Sequence, residues 1–506
     1  MMKSNSQNYF YSGPVTSKKF GKALGKLTLK IDKKAEQVEF ELLDCFNQSI
    51  RKAGCVLLRL HNTLTLLLPS GQIITQICPE PLSYITLLSE GPIKKALSYV
   101  SPLRSLMVVS KGVCKQLTVS LLDNEQKTQS RAHLRTFTSS AIPTTLTLAS
   151  LVYLRGYPNA HESLSKKLDD MGFNIMENPN VIYEKLIADY SVYEPKPKIT
   201  IGNNATAYDT ANSIIRTYLK VAQANEFGVI ADIDSEFLHD YRVSLRKIRS
   251  VISLFKGVYS AEQRSTLKTL FSDLMAPTGR LRDLDVYLLE REMYFTLLPT
   301  SLHQGLEYMF KLFEAERNDQ HKALTKHFKS ASLNKQMRTV EKLFFGDNPP
   351  KAGASATMNA SEYATGVIWK CYRKVCAIAR GIDENTPDDE VHELRIQCKK
   401  LRYLIEFFST LFDKKDIGTV IKSLKVLQNT LGLFNDYSVQ QDALKEFIDA
   451  RTLSNTKQNI AIAQSVGALI AILHQRQLVE RSKVVAKFVN FDNADTQTKF
   501  KTLFKR

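Results

Sequence analysis

A chain of 506 residues is long enough for two or more domains, and its hydrophobic and charged fractions, 43% and 24%, are those of an ordinary water-soluble globular protein. Its formal net charge of +18 is not ordinary and favours a polyanionic partner: nucleic acid, a phosphate polymer or an anionic membrane. Residues 1–200 hold 25 Lys and Arg against 16 Asp and Glu, and residues 201–506 hold 44 against 35, so each part carries +9 and any special site must come from placement rather than from bulk charge.

In chain order, the opening MMKSNSQNYFYSG lacks the apolar stretch of a secretory signal. The first ~155 residues then read mainly as strands: LTLKI, QVEFELL, CVLLRL, TLTLLL and QIITQI are short, rich in leucine and β-branched residues, and broken by turns such as Pro69-Ser70-Gly71. A short helix is expected over Pro92–Tyr99, a hairpin around Asp123-Asn124-Glu125, a strand near Leu146–Leu154 and a further helix over Glu162–Met171. The proline-containing SVYEPKPKIT reads as a linker, placed at residues 191–202, after a β-rich domain (1–190).

From about Asn203 onward, segments of 3.6-residue period succeed one another, which predicts an all-α region of eight to ten helices over 203–500. GDNPPKAGASATMNAS (346–361) reads as a long, loose loop dividing it into halves, 203–345 and 362–500. The seven cysteines form no CxxC pair, and Cys371 and Cys376 are wrongly spaced for a zinc knuckle, so reduced thiols and a cytoplasmic location are expected. No apolar run approaches the roughly 20 residues that span a bilayer, so no membrane partner is expected.

The two halves match. Adding 153 to a position in the first gives its counterpart in the second, without gaps, from His239–Val286 to His392–Val439. His239, Arg242, Arg246 and Arg249 meet His392, Arg395, Lys399 and Arg402; Leu274, Gly279, Asp283 and Val286 meet Leu427, Gly432, Asp436 and Val439. An offset held across two separate motifs argues for internal duplication and for equivalent helices face to face across a pseudo-two-fold axis.

At about 100° per residue, the four basic positions of each copy fall in one stripe about 80° wide. Beside it runs an apolar stripe, Leu245, Ile248, Ile252 and Phe255 in one copy and Cys398, Leu401, Ile405 and Phe408 in the other, which would hold each helix on its bundle. Asp234-Ser235 and Thr386-Pro387-Asp388-Asp389 signal the two helix starts, the second with the Thr386 hydroxyl as cap, and Gly257 signals the end of the first. Four cations about a turn apart repel, and the interior of each stripe lacks acids at i±4 to relieve this. Phosphate oxygens would relieve it, and the arginine fork suits them; a solvated basic face is the plain alternative. No HxxxH or HExxH is present, so the histidines fit phosphate contact better than metal binding. Asp283 and Asp436 read as residues that orient the arginines or cap the next helix.

H-x-x-R-[VI]-x-x-[RK]-x-x-R written twice, each followed by G-x-x-x-D, resembles the CHAD family (conserved histidine α-helical domain), over about residues 203–500. That resemblance implies two duplicated four-helix bundles with a basic groove between them and binding of inorganic polyphosphate, in the cytoplasm or at polyphosphate granules. It implies a ligand surface of His239, Arg242, Arg246, Arg249, His392, Arg395, Lys399 and Arg402, with Lys247, Lys400 and Arg282 as additions.

The first ~185 residues resemble a degenerate CYTH domain, a triphosphate-tunnel β-barrel: VEFELLD is similar to its opening E-x-E-x-K strand, with Glu39 and Glu41 in place and Leu43 where the family has Lys. RAHLRTF stands where later acids are expected. The whole is thus expected to be an α+β protein, an antiparallel barrel-like domain succeeded by an all-α domain. Binding without chemistry or a resident cofactor is the first reading. A triphosphate hydrolase using Mg²⁺ or Mn²⁺ on Glu39 and Glu41 is the second. Nucleic-acid binding is the third, disfavoured because aromatics do not interleave with the basic stripes.

Overall fold

The computed structural model describes residues 7–31, 36–141, 143–187, 192–450 and 456–505. Residues 1–6 of the opening stretch and Ser191 of the linker reading lie outside them. The chain divides into two units, Met1–Pro195 and Lys196–Arg506.

The first unit is built on β1 (Gln7–Ser12), β2 (Ala23–Leu24), β3 (Leu27–Ile31), β4 (Glu36–Cys45), β5 (Val56–Leu60), β6 (Thr63–Leu67), β7 (Ile73–Ile77), β8 (Leu106–Leu122), β9 (Thr128–Ser139), β10 (Thr145–Val152) and β11 (Asn174–Ile175). They form one antiparallel sheet in the order β11-β1-β10-β9-β8-β4-β5-β6-β7, with β3 pairing β2 and β8. The expected strands and the hairpin between β8 and β9 are present. The sheet curls as a half-barrel rather than closing into a tunnel: among the described residues β7 and β11 do not pair, and a side chain bridges the ends, Asn8 Nδ2 donating to Gly71 O at 2.6 Å. Strand alternation sends Phe40, Leu42, Leu58 and Phe137 into one apolar cluster and Leu43, Leu57, Leu64 and Leu66 into another on the opposite face. The small helices are α1 (Ser49–Lys52), α2 (Pro92–Ala96), α3 (Pro158–Asp170) and α4 (Val181–Leu186). The helix expected from Glu162 starts one turn earlier, because Pro158 occupies a first-turn position where its missing N–H costs nothing.

The second unit is helical. Its first half contains α5 (Ala207–Ile230), α6 (Ser235–Leu254), α7 (Ala261–Met275), α8 (Gly279–Leu289), α9 (Arg291–Leu297), α10 (His303–Phe328) and α11 (Ala331–Phe345). Its second half contains α12 (Ala360–Ala379), α13 (Asp388–Phe407), α14 (Lys414–Asp449), α15 (Lys457–Phe491) and α16 (Ala494–Phe504). Among the described residues these twelve exceed the eight to ten expected, because breaks inside apolar-periodic sequence are invisible to periodicity. One has a clear cause. Pro277 lacks an N–H and crowds the preceding turn, so the first half breaks into α7 and α8 around a 3₁₀ turn at Ala276–Thr278, whereas Thr430 at the equivalent place lets α14 run on.

The duplication is physical. α5, α6 and α7 begin at 207, 235 and 261, and α12, α13 and α14 begin 153 residues later at 360, 388 and 414. Residues 153 apart also meet. Ala207 N donates to Met358 O at 2.8 Å and Ala360 N donates to Ala205 O at 2.9 Å, a symmetric pair of bonds around the bridge between Thr206 and Asn359. Phe255 stacks on Phe408 with centroids 4.9 Å apart and planes 12° from parallel. The halves share one core, in which Leu306, Phe310 and Phe313 of α10 meet Ile462, Val466 and Leu469 of α15. Gly305 permits that approach, since a Cβ there would lie 2.1 Å from Ala461 O. The 346–361 segment is not loose, as expected, but tied down: Gly353 N donates to Val258 O, Ser355 N to Gly257 O, and Ser260 N to Lys351 O.

Candidate functional site: two facing basic helices

Both helices carrying the repeated motif are 20 residues long and end at Leu254 and Phe407, which are 153 apart. Each is seated by its apolar stripe. Leu245, Ile248, Ile252 and Phe255, and Cys398, Leu401, Ile405 and Phe408, are all buried. At the start of α6, Asp234 accepts from the N–H groups of Glu236 and Phe237. The Thr386 hydroxyl does not cap α13. It bonds to Asp383, and Pro387 itself is the N-cap, leaving Asp388, Asp389 and Glu390 to favour the helix start electrostatically.

With the apolar stripes inward, the basic stripes come together. Lys399 of α13 lies within electrostatic reach of Arg246 of α6, its own counterpart, as well as of Arg395 and Arg402. Arg242 is clustered with Arg246, Arg249 and Arg282. Burial together with these like charges pushes Lys399 down to about 8 and holds Arg242 below the usual guanidinium range.

Few acids answer this charge. Asp283 reaches Arg242, Arg280 and Arg282 electrostatically, and Asp436 Oδ1 lies 3.6 Å from Arg395 Nη2. The repeated aspartates therefore sit against the stripe arginines. Asp283 caps nothing, being inside α8. Arg242 Nη1 also donates to the Thr278 hydroxyl at 2.6 Å, which in turn donates to Met275 O. Arg246 Nε and Arg282 Nη1 are buried without a hydrogen-bond partner. Buried guanidinium N–H groups are seldom left unpaired.

Not every expected residue joins the stripe. Lys247 turns toward the other half, where Glu406 binds its ammonium and the Tyr403 ring lies 4.4 Å away; its side chain is 13% exposed. Its charge is thus already answered within the protein. Lys400 lies in reach of Glu393 and the Cys371 thiol. His239 is half-buried and His392 exposed, each near the start of its helix. Two further participants carry no signal in the repeated motif. Glu406 stands four residues after Arg402, a spacing from which it could be found. Thr278 depends on the break at Pro277 and could not.

In the β unit, Glu41 lies directly opposite Arg59 on β5 and Lys111 on β8, and its carboxylate is 2.6 Å from Arg59 Nη2. Glu39 and Glu41 line a cavity of about 770 Å³ together with Arg59, His61 and Lys111. A metal there would have to displace a guanidinium and sit among cations. Leu43, where the resembled motif has Lys, is 4% exposed within an apolar cluster, so a lysine at that place would be buried without a partner. No group of three metal-ligating side chains occurs among the described residues, nor is any described helix long and apolar enough to cross a membrane.

Residues 213–445 match the family model described as CHAD domain. Among solved structures, the chain is similar to the CHAD domain from the plant Ricinus communis, with 21% identity, TM-score 0.49 and coverage of 60% of this chain and 97% of that one. It is also similar to PptA from Streptomyces chartreusis, with 14% identity, TM-score 0.44 and coverage of 56% and 99%. A search of curated proteins gives no significant match.

Proposed function

We propose, from the premise that this chain carries a CHAD domain over residues 213–445, that the helical unit binds inorganic polyphosphate along its paired basic stripes and performs no chemistry there. The observation that carries this reading is the meeting of Arg246 and Lys399 across the halves, beside guanidinium nitrogens of Arg246 and Arg282 that are buried and unpaired. A ligand with a charge on every repeat suits a stripe with a cation at every turn. A single phosphate would satisfy one turn only. The cellular setting that goes with this activity is the cytoplasm, at polyphosphate granules or in solution.

The test is binding of long-chain polyphosphate across a salt series, where released counterions make affinity fall steeply as salt rises. The paired variant Arg246→Glu with Lys399→Glu should lower affinity by at least about 100-fold at moderate salt, since it replaces two attractions by two repulsions. Wild-type affinity in that variant, with its helicity intact, would end the proposal. RNA that displaces polyphosphate at equal phosphate concentration would move the reading to nucleic acid.

A further inference from the structure

The two stripes are equivalent in sequence but not in their surroundings, and one difference, Glu406, adds an acid beside a stripe cation. It lies one turn after Arg402, with Oε1 3.3 Å from Arg402 Nε, while its other oxygen holds Lys247 of the first half. One carboxylate thus answers a stripe cation of its own helix and a cation of the facing one. The counterpart of Glu406 in the first half, 153 residues earlier, is Ser253, which brings no charge. Arg249, the counterpart of Arg402, is exposed, and its Nη1 lies 3.2 Å from the Met275 sulfur, a weak acceptor. Arg402 Nε is buried and, although near Glu406, makes no well-aligned hydrogen bond.

We infer that Glu406 is a built-in competitor of the anionic ligand: it takes the place beside Arg402 that a phosphate oxygen would otherwise take. This rests on the polyphosphate reading above and adds a polarity to it. Asp283 and Asp436 are matched in the two halves, so the bound chain is held most strongly at the first-half end, by Arg242, Arg246, Arg249 and Arg282, and meets an additional negative charge at the other. Glu406 therefore limits affinity and sets how far the ligand runs along the second helix, while its contact with Lys247 keeps the two helices together.

Two opposite charge changes test this in the full chain, with long-chain sodium polyphosphate as probe. Glu406→Gln keeps the size and an acceptor oxygen for Lys247 but removes the charge. It should bind about tenfold more tightly, with a salt slope steeper by about one. Ser253→Glu places the missing acid one turn after Arg249 and should weaken binding about tenfold. Unchanged or weaker binding by a folded Glu406→Gln variant overturns the inference. If that variant does not fold, Ser253→Glu decides alone, and unchanged affinity there overturns it equally. Failure of the wild-type protein to bind polyphosphate would instead strike the underlying reading.

Discussion

At the scale of single residues, Lys399 is the cation of the stripes whose charge responds to pH just above neutrality. Burial is the main cause of its lowered proton affinity, then Arg246, Arg395 and Arg402, with Asp436 pulling the other way, and the result is a value of about 8. A polyanion binds the charged form. As pH rises from 7 to 9 the free protein loses this proton, binding must take it back, and affinity should fall about tenfold over that interval. Lys399→Arg keeps the charge at both pH values and should flatten the dependence, as measured by binding titrations at pH 7, 8 and 9. An undiminished slope in that variant would mean another group titrates. The same shift acts on folding with the opposite sense: the unfolded chain holds the proton up to about 10.4, so between 8 and that value the unfolded state binds more protons and stability rises with pH.

At the scale of elements, two helices equal in length and equivalent in place meet through Phe255 and Phe408. Both rings are fully buried, and Phe255 also lies against Phe407 and Tyr363. Phe255→Ala should cost about 3–5 kcal/mol in denaturant unfolding, the usual range for a buried aromatic truncated in a packed core. Adding Phe408→Ala should cost less than the two single losses combined, because each ring's contact is already gone. Additive losses would show that the stack contributes nothing as a pair. These helices are also the most legible part of the chain. Their apolar and basic stripes have helical period, and the offset of 153 alone sets one in correspondence with the other. Where each charge finds its partner is not legible. Lys247 stands beside Arg246 in sequence, yet its partner Glu406 lies 159 residues away, and only packing of α6 against α13 brings them together. β1 escapes notice because QNYFYS is too polar to signal a strand; its place comes from β10, which pairs with it along its whole length. The barrel-like curl of the expected antiparallel domain is present as a half-barrel; its degree of closure is not legible, because strand patterns fix alternation along each strand but say nothing about whether the last strand returns to the first.

At the scale of the whole molecule, two units with separate cores share one excess of positive charge. Divided between the two units, residues 1–195 hold 23 Lys and Arg against 16 Asp and Glu (+7) and residues 196–506 hold 46 against 35 (+11), similar enough for two explanations of anion binding to part company. If net charge alone attracts polyphosphate, both parts should bind comparably. If placement matters, binding should track the stripes, which lie wholly within α6 and α13. The cations of the β unit offer no similar row at its expected site, where Arg59 is engaged by Glu41 and Lys111 lies directly across from that same carboxylate. A fragment of residues 196–506 should therefore keep the full chain's polyphosphate affinity within about twofold and its salt slope unchanged, because the slope counts phosphates neutralised at the site rather than total charge. A fragment of residues 1–195 should bind only weakly at low salt. Equal affinity in the two fragments would make the duplicated stripes incidental and return the explanation to bulk charge.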